Sequence, residues 1–453
     1  MKLNRNIPPK SKIPEQFELP VTQVLKLNNG LEIYHTEKKK LPIVKMNMII
    51  PAGSCFDGYG NEGLAYLTGL VLDEGAAKLN ALQLADEIDK LGSLINVSTT
   101  MDHIFLSLTS IAENFERTFE LFSFILKEPR FDKESFEREK KKHTTKIIQA
   151  FDMPSYIIAN AFQKNIFKGS IYDKPILGYS HTVETLTQQK VKDFYNRYFL
   201  NDNMNLISVG SISPEDLTIL SEKYLGDIKL KTPPKLSKIE FPKNKSKIFF
   251  INKEGAAQSE IAVGHISKDR NASDFMAAKI ANVILGGQFS SRINLNLRED
   301  KGYTYGVSSS LEYDKFVGYF SVSTSVQSEF TVPSIKEIRK EINLIRKDIR
   351  QDEIAFAKSY LIKQFPSMFE TYSQILQRIT TKTIHELDDY YEHYIQDIWD
   401  LTKEEILEAA NEYFRPEMLT FFVVADKASV YESLKSIDDL ELIELDIWGN
   451  ISN

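Results

Sequence analysis

The segment GNEGLAYLTGLVLDEG, residues 60–75, is where this sequence comes closest to a metal site. It predicts a helix, and on a helix the positions i, i+3 and i+4 share one face. Two histidines at i and i+4 can bind one Zn²⁺, and a glutamate at i+3 can activate a bound water. The three positions hold Tyr66, Gly69 and Leu70. Glycine and leucine have no ligand atoms and a lone tyrosine is a poor zinc ligand, so this helix cannot hold catalytic zinc.

The histidines offer no replacement metal site. His385 and His393 are eight residues apart on a predicted helix, about two turns, which is too far for both rings to reach one metal without bending. The other five are isolated in the sequence: His35, His103, His143, His181 and His265. We therefore expect no metal in this chain and no stoichiometric zinc in the purified protein.

The strongest functional signal is the segment LGGQFSSRINLNLREDKGYTYGVSSS, residues 285–310. Gly286-Gly287 ends a predicted apolar helix, a short loop runs from Gln288 to Ser291, and a polar helix begins near Arg292. The loop lacks the Gly-Lys-Ser/Thr sequence of a phosphate-binding loop, which argues against nucleotide binding.

Two stretches of the chain resemble each other at a constant offset of 215 residues. Leu186-Thr187 corresponds to Leu401-Thr402, and Tyr198-Phe199 corresponds to Tyr413-Phe414. Each stretch predicts a helix with threonine as its N-cap, followed by a short loop and an apolar strand. The chain is therefore predicted to contain two copies of one structural unit.

The predicted fold is α+β, with two homologous domains that each have a mostly antiparallel or mixed sheet and helices packed on one face. Helices and β-rich runs alternate in blocks, not strand by strand, which favours this class. Residues 229–247 contain three prolines and seven lysines and have no apolar period, so they are predicted to be a linker. The predicted domains are residues 1–228 and 248–453.

Composition limits the classes of partner. The 453 residues include 56 Lys+Arg and 63 Asp+Glu, a net charge of −7, so nucleic acid is not expected as a partner. Cys55 is the only cysteine and cannot form an internal disulfide. No segment predicts a membrane span, and the first twenty residues do not resemble a signal peptide. The expected location is the cytoplasm, or the periplasm if a signal peptide has been removed.

Much of the chain, from about residue 21 to 446, resembles the pitrilysin/insulinase type of zinc peptidase, which includes the processing peptidases. Active members have Gly-Leu-Ala-His-x-x-Glu-His, and this chain keeps only the GLA of Gly63–Ala65. It also keeps the downstream strands in KLGSLINVSTTMDHIFLSLTS. The family's third zinc ligand is a glutamate that corresponds to Lys146, give or take one residue, in FDKESFEREKKKHTTKIIQ. Neither neighbour of Lys146 is a carboxylate, so Tyr66, Gly69, Leu70 and Lys146 are degenerate zinc-site positions.

The resemblance assigns roles to the segment at residues 285–310. In the family, an arginine and a tyrosine seven residues apart hold the substrate carbonyl and the tetrahedral intermediate, and Arg298 and Tyr305 have that spacing. A guanidinium and a phenol both suit a developing oxyanion. The residues implied to dock substrate are Gly286, Gly287, Gln288, Phe289, Ser290 and Ser291.

The resemblance implies a non-catalytic subunit of a heterodimeric zinc peptidase. A homologous partner would carry the zinc, and the substrate would be an unfolded peptide. The alternatives are an inert scaffold subunit and a peptide-binding protein that works alone. An independently active zinc protease is rejected, because the four degenerate positions leave nothing to bind the metal.

Overall fold

The structure is a computed structural model and describes residues 17–234, 239–242 and 245–452. Its strands, in chain order, are β1 Gln23–Lys26, β2 Glu32–Glu37, β3 Ile43–Ile50, β4 Gly75–Ala76, β5 Leu79–Asn80, β6 Leu94–Thr99, β7 Ile104–Ile111, β8 Asn205–Gly210, β9 Lys247–Asn252, β10 Gln258–Ser267, β11 Val307–Asp314, β12 Val317–Gln327, β13 Thr420–Ala425 and β14 Glu441–Leu445.

The α-helices, in chain order, are α1 Leu64–Leu72, α2 Ala81–Lys90, α3 Phe115–Lys127, α4 Lys133–Asp152, α5 Pro154–Ile166, α6 Ser180–Thr185, α7 Gln188–Tyr198, α8 Pro214–Leu225, α9 Phe275–Leu285, α10 Arg292–Asn294, α11 Thr331–Ile345, α12 Gln351–Gln364, α13 Tyr372–His385, α14 Tyr394–Asp400, α15 Lys403–Tyr413 and α16 Lys427–Leu434. A π-helical turn, Leu295–Asp300, directly continues α10. Within the described residues, no helix has both the length and the apolar character needed to cross a membrane.

Two six-stranded sheets have matching strand orders. The first is β1-β2-β8-β3-β7-β6 and the second, written in the same direction, is β14-β9-β13-β10-β12-β11. Corresponding neighbours have the same relative direction: β2–β8 and β9–β13 are parallel, and β3–β7 and β10–β12 are antiparallel. The outermost pair differs, because β1–β2 is antiparallel and β14–β9 is parallel. The structure confirms the predicted α+β fold with two related, mixed sheets.

The duplication extends to the helix caps. Thr187 begins α7 and its Oγ1 accepts a hydrogen bond from the backbone N–H of Lys190. Thr402 begins α15 and its Oγ1 accepts from the backbone N–H of Glu405 in the same way. Each side chain satisfies one of the free N–H groups of the first helical turn. Each helix then leads to the strand at the third position of its sheet, β8 or β13.

One helix from each half covers a face of the other half's sheet. α5 packs against β10 and β13, and α13 packs against β3 and β8. The ring centroid of Phe162 on α5 lies 5.4 Å from that of Phe422 on β13. Ile375 on α13 belongs to the same buried cluster as Ile49 and Ile207 of the first sheet. These two exchanged helices, α5 and α13, bury apolar faces of the sheets that the other helices leave uncovered.

The segment between the sheets is described only in part. Of the predicted linker at residues 229–247, residues 235–238 and 243–244 lie outside the described residues, and Lys247 is the first residue of β9. The predicted domain boundaries stay predictions. His385 and His393 are not on one helix, contrary to expectation, because α13 ends at His385 and Glu386 takes a left-handed conformation with φ of 54°.

Candidate functional site

The degenerate zinc-site positions lie on two helices that pack together, α1 and α4. Lys146 Nζ on α4 donates a 2.6 Å hydrogen bond to the phenolic oxygen of Tyr66 on α1. The same ammonium lies 5.2 Å from the centroid of the Tyr66 ring. A lysine ammonium has no acceptor lone pair and repels a metal cation. The Lys146 ammonium therefore places a positive charge where the family's active members bind zinc.

Close packing between α1 and β6 explains why position 69 holds glycine. A Cβ built at Gly69 would lie 2.6 Å from Thr99 Oγ1, at the end of β6. Leu70 is partly buried and packs against the first core. Among the described residues, no group of three or more His, Cys, Asp or Glu side chains could hold a metal ion. The residues at these positions do not fit zinc.

His143, one turn before Lys146, is isolated in the sequence but lies against Tyr66 in the structure. Its ring centroid is 4.7 Å from that of Tyr66, and its Nε2 donates to the carbonyl oxygen of Leu177 at 2.8 Å. Nδ1 is buried and has no hydrogen-bond partner in the part of the chain that the structure describes. Burial lowers the pKa of His143 to about 4, and the nearby Lys146 charge acts in the same direction. The imidazole is therefore neutral near pH 7.

The glycine-rich loop is fixed by backbone contacts and by two asparagines. A Cβ at Gly286 would lie 2.5 Å from Ser309 Oγ, so only glycine lets the loop pass this closely over β11. Asn282 Oδ1 accepts from Ser309 Oγ at 2.7 Å. Asn294 Nδ2 donates to the carbonyl of Phe289, and Asn294 Oδ1 accepts from Val307 N. Neither asparagine is among the residues predicted from the sequence, because their roles depend on contacts across 13 and 27 residues.

The remaining loop residues differ in exposure. Gln288 Oε1 accepts a 2.6 Å hydrogen bond from Ser290 N and so closes the turn. Ser291 is buried and is the N-cap of α10, but its side chain makes no capping hydrogen bond. Phe289 is 64% exposed. An exposed phenylalanine on a constrained loop is available for contact with a ligand.

Arg298 and Tyr305 differ in how exposed their side chains are to solvent. Arg298 lies in the π-helical turn, and its guanidinium carbon is 4.1 Å from the centroid of the Phe289 ring. Its Nη1 is shielded from solvent and makes no hydrogen bond with a described residue, although Glu299 Oε1 is 3.5 Å away. Tyr305 lies two residues before β11 and is 94% exposed. The exposed Tyr305 hydroxyl can donate to a molecule outside this chain, whereas the Arg298 side chain is only partly exposed and its Nη1 is shielded from solvent.

A groove of about 890 Å³ lies beside the loop. One wall is α5, through Ser155, Ile158, Ala159 and Phe162, and the opposite wall is the loop and Tyr305. Its floor is formed by β10, β11 and β12. The floor residues include Glu260, Ser308, Glu312, Tyr319, Ser321, Ser323 and Ser325. The alternating serines of SVSTSVQ have the period of two that is typical of a strand with one polar face.

The groove joins parts of the chain that the sequence left separate. It includes Gly286, Gly287, Gln288, Phe289 and Tyr305 from the predicted site, and a helix from the first half. Arg298 does not line it and reaches it only through Phe289. The Tyr66–Lys146 contact is not part of the groove.

Fold and site together define a chain of zinc-peptidase architecture whose metal position has no metal ligands. The chain belongs to peptidase family M16, the insulinase and pitrilysin type. The description "Insulinase (Peptidase family M16)" matches residues 33–180, and "Peptidase M16 inactive domain" matches residues 185–361.

Relatives and solved structures agree with this membership. The chain is 25% identical over 341 residues to an uncharacterized zinc protease of Rickettsia bellii, which covers 75% of this chain and 81% of that protein. It is 22% identical over 406 residues to the non-peptidase homolog YmxG of Helicobacter pylori, which covers 87% of this chain and 92% of that protein. A crystal structure of a peptidase M16 inactive domain from Pseudomonas fluorescens has a similar fold. Its TM-score is 0.83 at 22% identity, over 90% of this chain and 99% of that one. The chain is an inactive-type member of its family.

Proposed function

We propose that this chain is the zinc-free subunit of a two-chain metallopeptidase that cleaves unfolded peptides. A homologous partner would carry the zinc and its ligands, and this chain would bind no cofactor. Arg298 and Tyr305 would act in trans on the transition state, and the loop Gly286–Ser291 would dock the substrate.

The observation that carries this proposal is the contrast between the two halves. In the first half, the metal position is occupied by the Lys146–Tyr66 hydrogen bond of 2.6 Å. In the second half, Tyr305 is 94% exposed at the edge of an 890 Å³ groove. A fully exposed tyrosine contributes little to folding, so its position suits contact with a second molecule.

The chemistry of these residues fits stabilisation of an oxyanion. Stacking on Phe289 holds the Arg298 guanidinium in place, so its charge would be positioned before the substrate arrives. The Arg298 side chain is partly exposed, and its ion-pair partner among the described residues is Glu299, whose Oε1 lies 3.5 Å from Nη1. Donors that need no rearrangement at the moment of reaction stabilise developing charge most effectively.

A peptide-binding protein that works alone is the second candidate. It is favoured by one observation: the second sheet and α5 of the first half line the groove together, so a single chain supplies two of its sides. In that case Arg298 and Tyr305 would contact a bound peptide without assisting its cleavage.

The first experiment is a pull-down from native lysate with this chain as bait, followed by mass spectrometry. Recovery of a chain of similar size with an intact His-x-x-Glu-His helix supports the two-chain peptidase. Recovery of this chain alone supports the peptide-binding protein.

The catalytic role of Arg298 is tested in the reconstituted complex. Removing one oxyanion donor typically costs about 10²–10³ in turnover, so Arg298→Ala should lower kcat by that factor. Arg298→Lys keeps the charge but loses the planar fork, and it should recover part of the loss. Arg197→Ala is the matched control, because Arg197 is an exposed arginine on α7. A fall of less than threefold for Arg298→Ala, with the complex intact by size-exclusion chromatography, would reject the role.

A further inference from the structure

The charged side chains that line the groove are all negative. Two of them are carboxylates, Glu260 and Glu312, and none of the described lining residues is lysine, arginine or histidine. Neither carboxylate forms an ion pair with a described residue. A groove that carries negative charge without a counter-charge attracts cations and repels anions.

Glu260 lies at the end of the groove near Tyr305. It is on β10, opposite Ser325 of β12, and its side chain is partly buried. Burial raises the pKa of Glu260 above its usual value. A hydrogen bond with Ser325 opposes this shift, but a neutral hydroxyl does not balance the charge of a partly buried carboxylate, and a basic side chain from a ligand would do so.

Glu312 lies at the other end of the groove. It is on β11, opposite Tyr319 of β12. Ser310 Oγ donates to its Oε1 at 2.7 Å, and the Tyr319 hydroxyl donates to its Oε2 at 2.8 Å. These neutral donors orient the carboxylate and leave its charge uncompensated, so it also remains available to a cation.

The separation of the two carboxylates follows from the strand register. Their partners on β12, Ser325 and Tyr319, are six residues apart. At about 3.4 Å per residue this is about 20 Å along the strands. An extended peptide spans the same distance with about six residues.

The floor between the carboxylates indicates an extended peptide as the occupant. Ser308 is paired with Ser323 across the sheet, and Ser310 with Ser321. Hydroxyl groups can donate to or accept from peptide N–H and C=O groups at many positions. The serine floor therefore favours contacts to the backbone of the bound peptide.

We propose that the groove selects extended peptides with two basic side chains about six residues apart, one paired with Glu260 and one with Glu312. The inference rests on the proposed peptide-binding function of the groove and adds its substrate class. Specificity then comes from two charges, and the intervening residues bind through their backbone.

The test is direct binding to the isolated full-length chain, measured by fluorescence anisotropy. The parent probe is a labelled ten-residue peptide with arginine at positions 2 and 8 and serine, glycine or alanine elsewhere. Citrulline replaces either arginine or both, because it keeps the shape and removes the charge. A further probe carries its two arginines at positions 2 and 4.

Each arginine-to-citrulline change should weaken binding about tenfold, the typical effect of losing a charge-assisted hydrogen bond. Glu260→Gln should weaken the parent probe by the same factor and abolish the effect of one of the two citrulline changes. Glu312→Gln should do so for the other citrulline change. Glu408→Gln is the control, because Glu408 is exposed on α15 and lies outside the groove.

Three results would overturn the proposal: equal binding of the parent and doubly citrulline probes, native binding by both groove variants, or no binding of the parent probe. Equal binding of the probe with arginines at positions 2 and 4 would overturn the six-residue spacing. None of these measurements uses a partner or turnover. Failure here therefore leaves the catalytic role of Arg298 to its own test, and a failed Arg298 test leaves this one unchanged.

Discussion

At the scale of residues, the predicted degenerate zinc-site positions form an ordinary packing contact. Lys146 donates to Tyr66, and the Tyr66 ring packs beside His143. Gly69 lets α1 approach Thr99 closely. A glutamate at position 69 would have to displace Thr99, so restoring metal ligands here requires changes beyond the ligands themselves.

His143 should make stability depend on pH. Its pKa is lowered to about 4 in the folded chain, against about 6.5 for an unfolded histidine. The unfolded chain therefore takes up this proton first, and the free energy of unfolding should fall as pH drops from 6.5 to 4. The expected contribution is about 1.4 kcal/mol per pH unit within that window and none above it.

The measurement is urea unfolding of the native chain and of His143→Gln at pH 7 and pH 5. Glutamine can still donate to the Leu177 carbonyl but does not titrate. The variant should lose less stability than the native chain between the two pH values. The same loss in both proteins would contradict the assignment.

At the scale of elements, the helix that forms one wall of the groove is held by the C-terminal turn. Lys164 Nζ on α5 donates to Asn450 Oδ1 at 2.7 Å and to the Trp448 carbonyl at 3.2 Å. Asn165 Nδ2 donates to the Gly449 carbonyl. The Trp448 ring centroid lies 4.1 Å from that of Phe151 at the end of α4. The turn therefore fixes α5 from the side away from the groove.

Trp448→Ala should destabilise the chain and loosen α5. A buried tryptophan cut to alanine costs about 3–5 kcal/mol, and a partly buried one should cost about 2–3 kcal/mol. Hydrogen exchange in Pro154–Ile166 should increase, because the turn would no longer hold the helix. The control is Trp399→Ala, since Trp399 is 58% exposed and should change stability by about 0.5 kcal/mol or less. Unchanged exchange in α5 would show that the turn does not restrain it.

At the scale of the whole molecule, a buried carboxylate connects the two halves. Asp102, between β6 and β7, accepts from the Tyr172 hydroxyl at 2.6 Å and from the backbone N–H of Lys315 at 2.7 Å. Lys315 lies between β11 and β12 of the second sheet, and its Nζ is 2.8 Å from Glu386. Asp102 is therefore one of the direct contacts that set how the halves meet.

Asp102→Asn should weaken this contact without changing the shape of the side chain. The amide cannot accept both hydrogen bonds as the carboxylate does, and charge-assisted hydrogen bonds contribute about 1.5–3 kcal/mol each. The expected loss is about 2–4 kcal/mol in the free energy of unfolding. Asp89→Asn, at an exposed position on α2, should have no comparable effect. Native stability of Asp102→Asn would exclude a role in joining the halves.

Local patterns in the sequence determined several features correctly. The Thr187 and Thr402 caps, the end of α9 at Gly286 and the paired helix–strand units depend on residues close in the chain. The missing ligand atoms at Tyr66, Gly69 and Leu70 are a property of residue type, which no fold can change.

Only the tertiary structure decided the exchange of α5 and α13, the groove and the contact between Lys146 and Tyr66. Each depends on residues brought together from far apart: Phe162 meets Phe422, and the two members of the Lys146–Tyr66 pair are 80 residues apart. Helix propensity and strand alternation report which face of an element is apolar, but not which other element covers it. That choice is made by packing of the whole chain, which therefore also placed Glu260 and Glu312 at opposite ends of one groove.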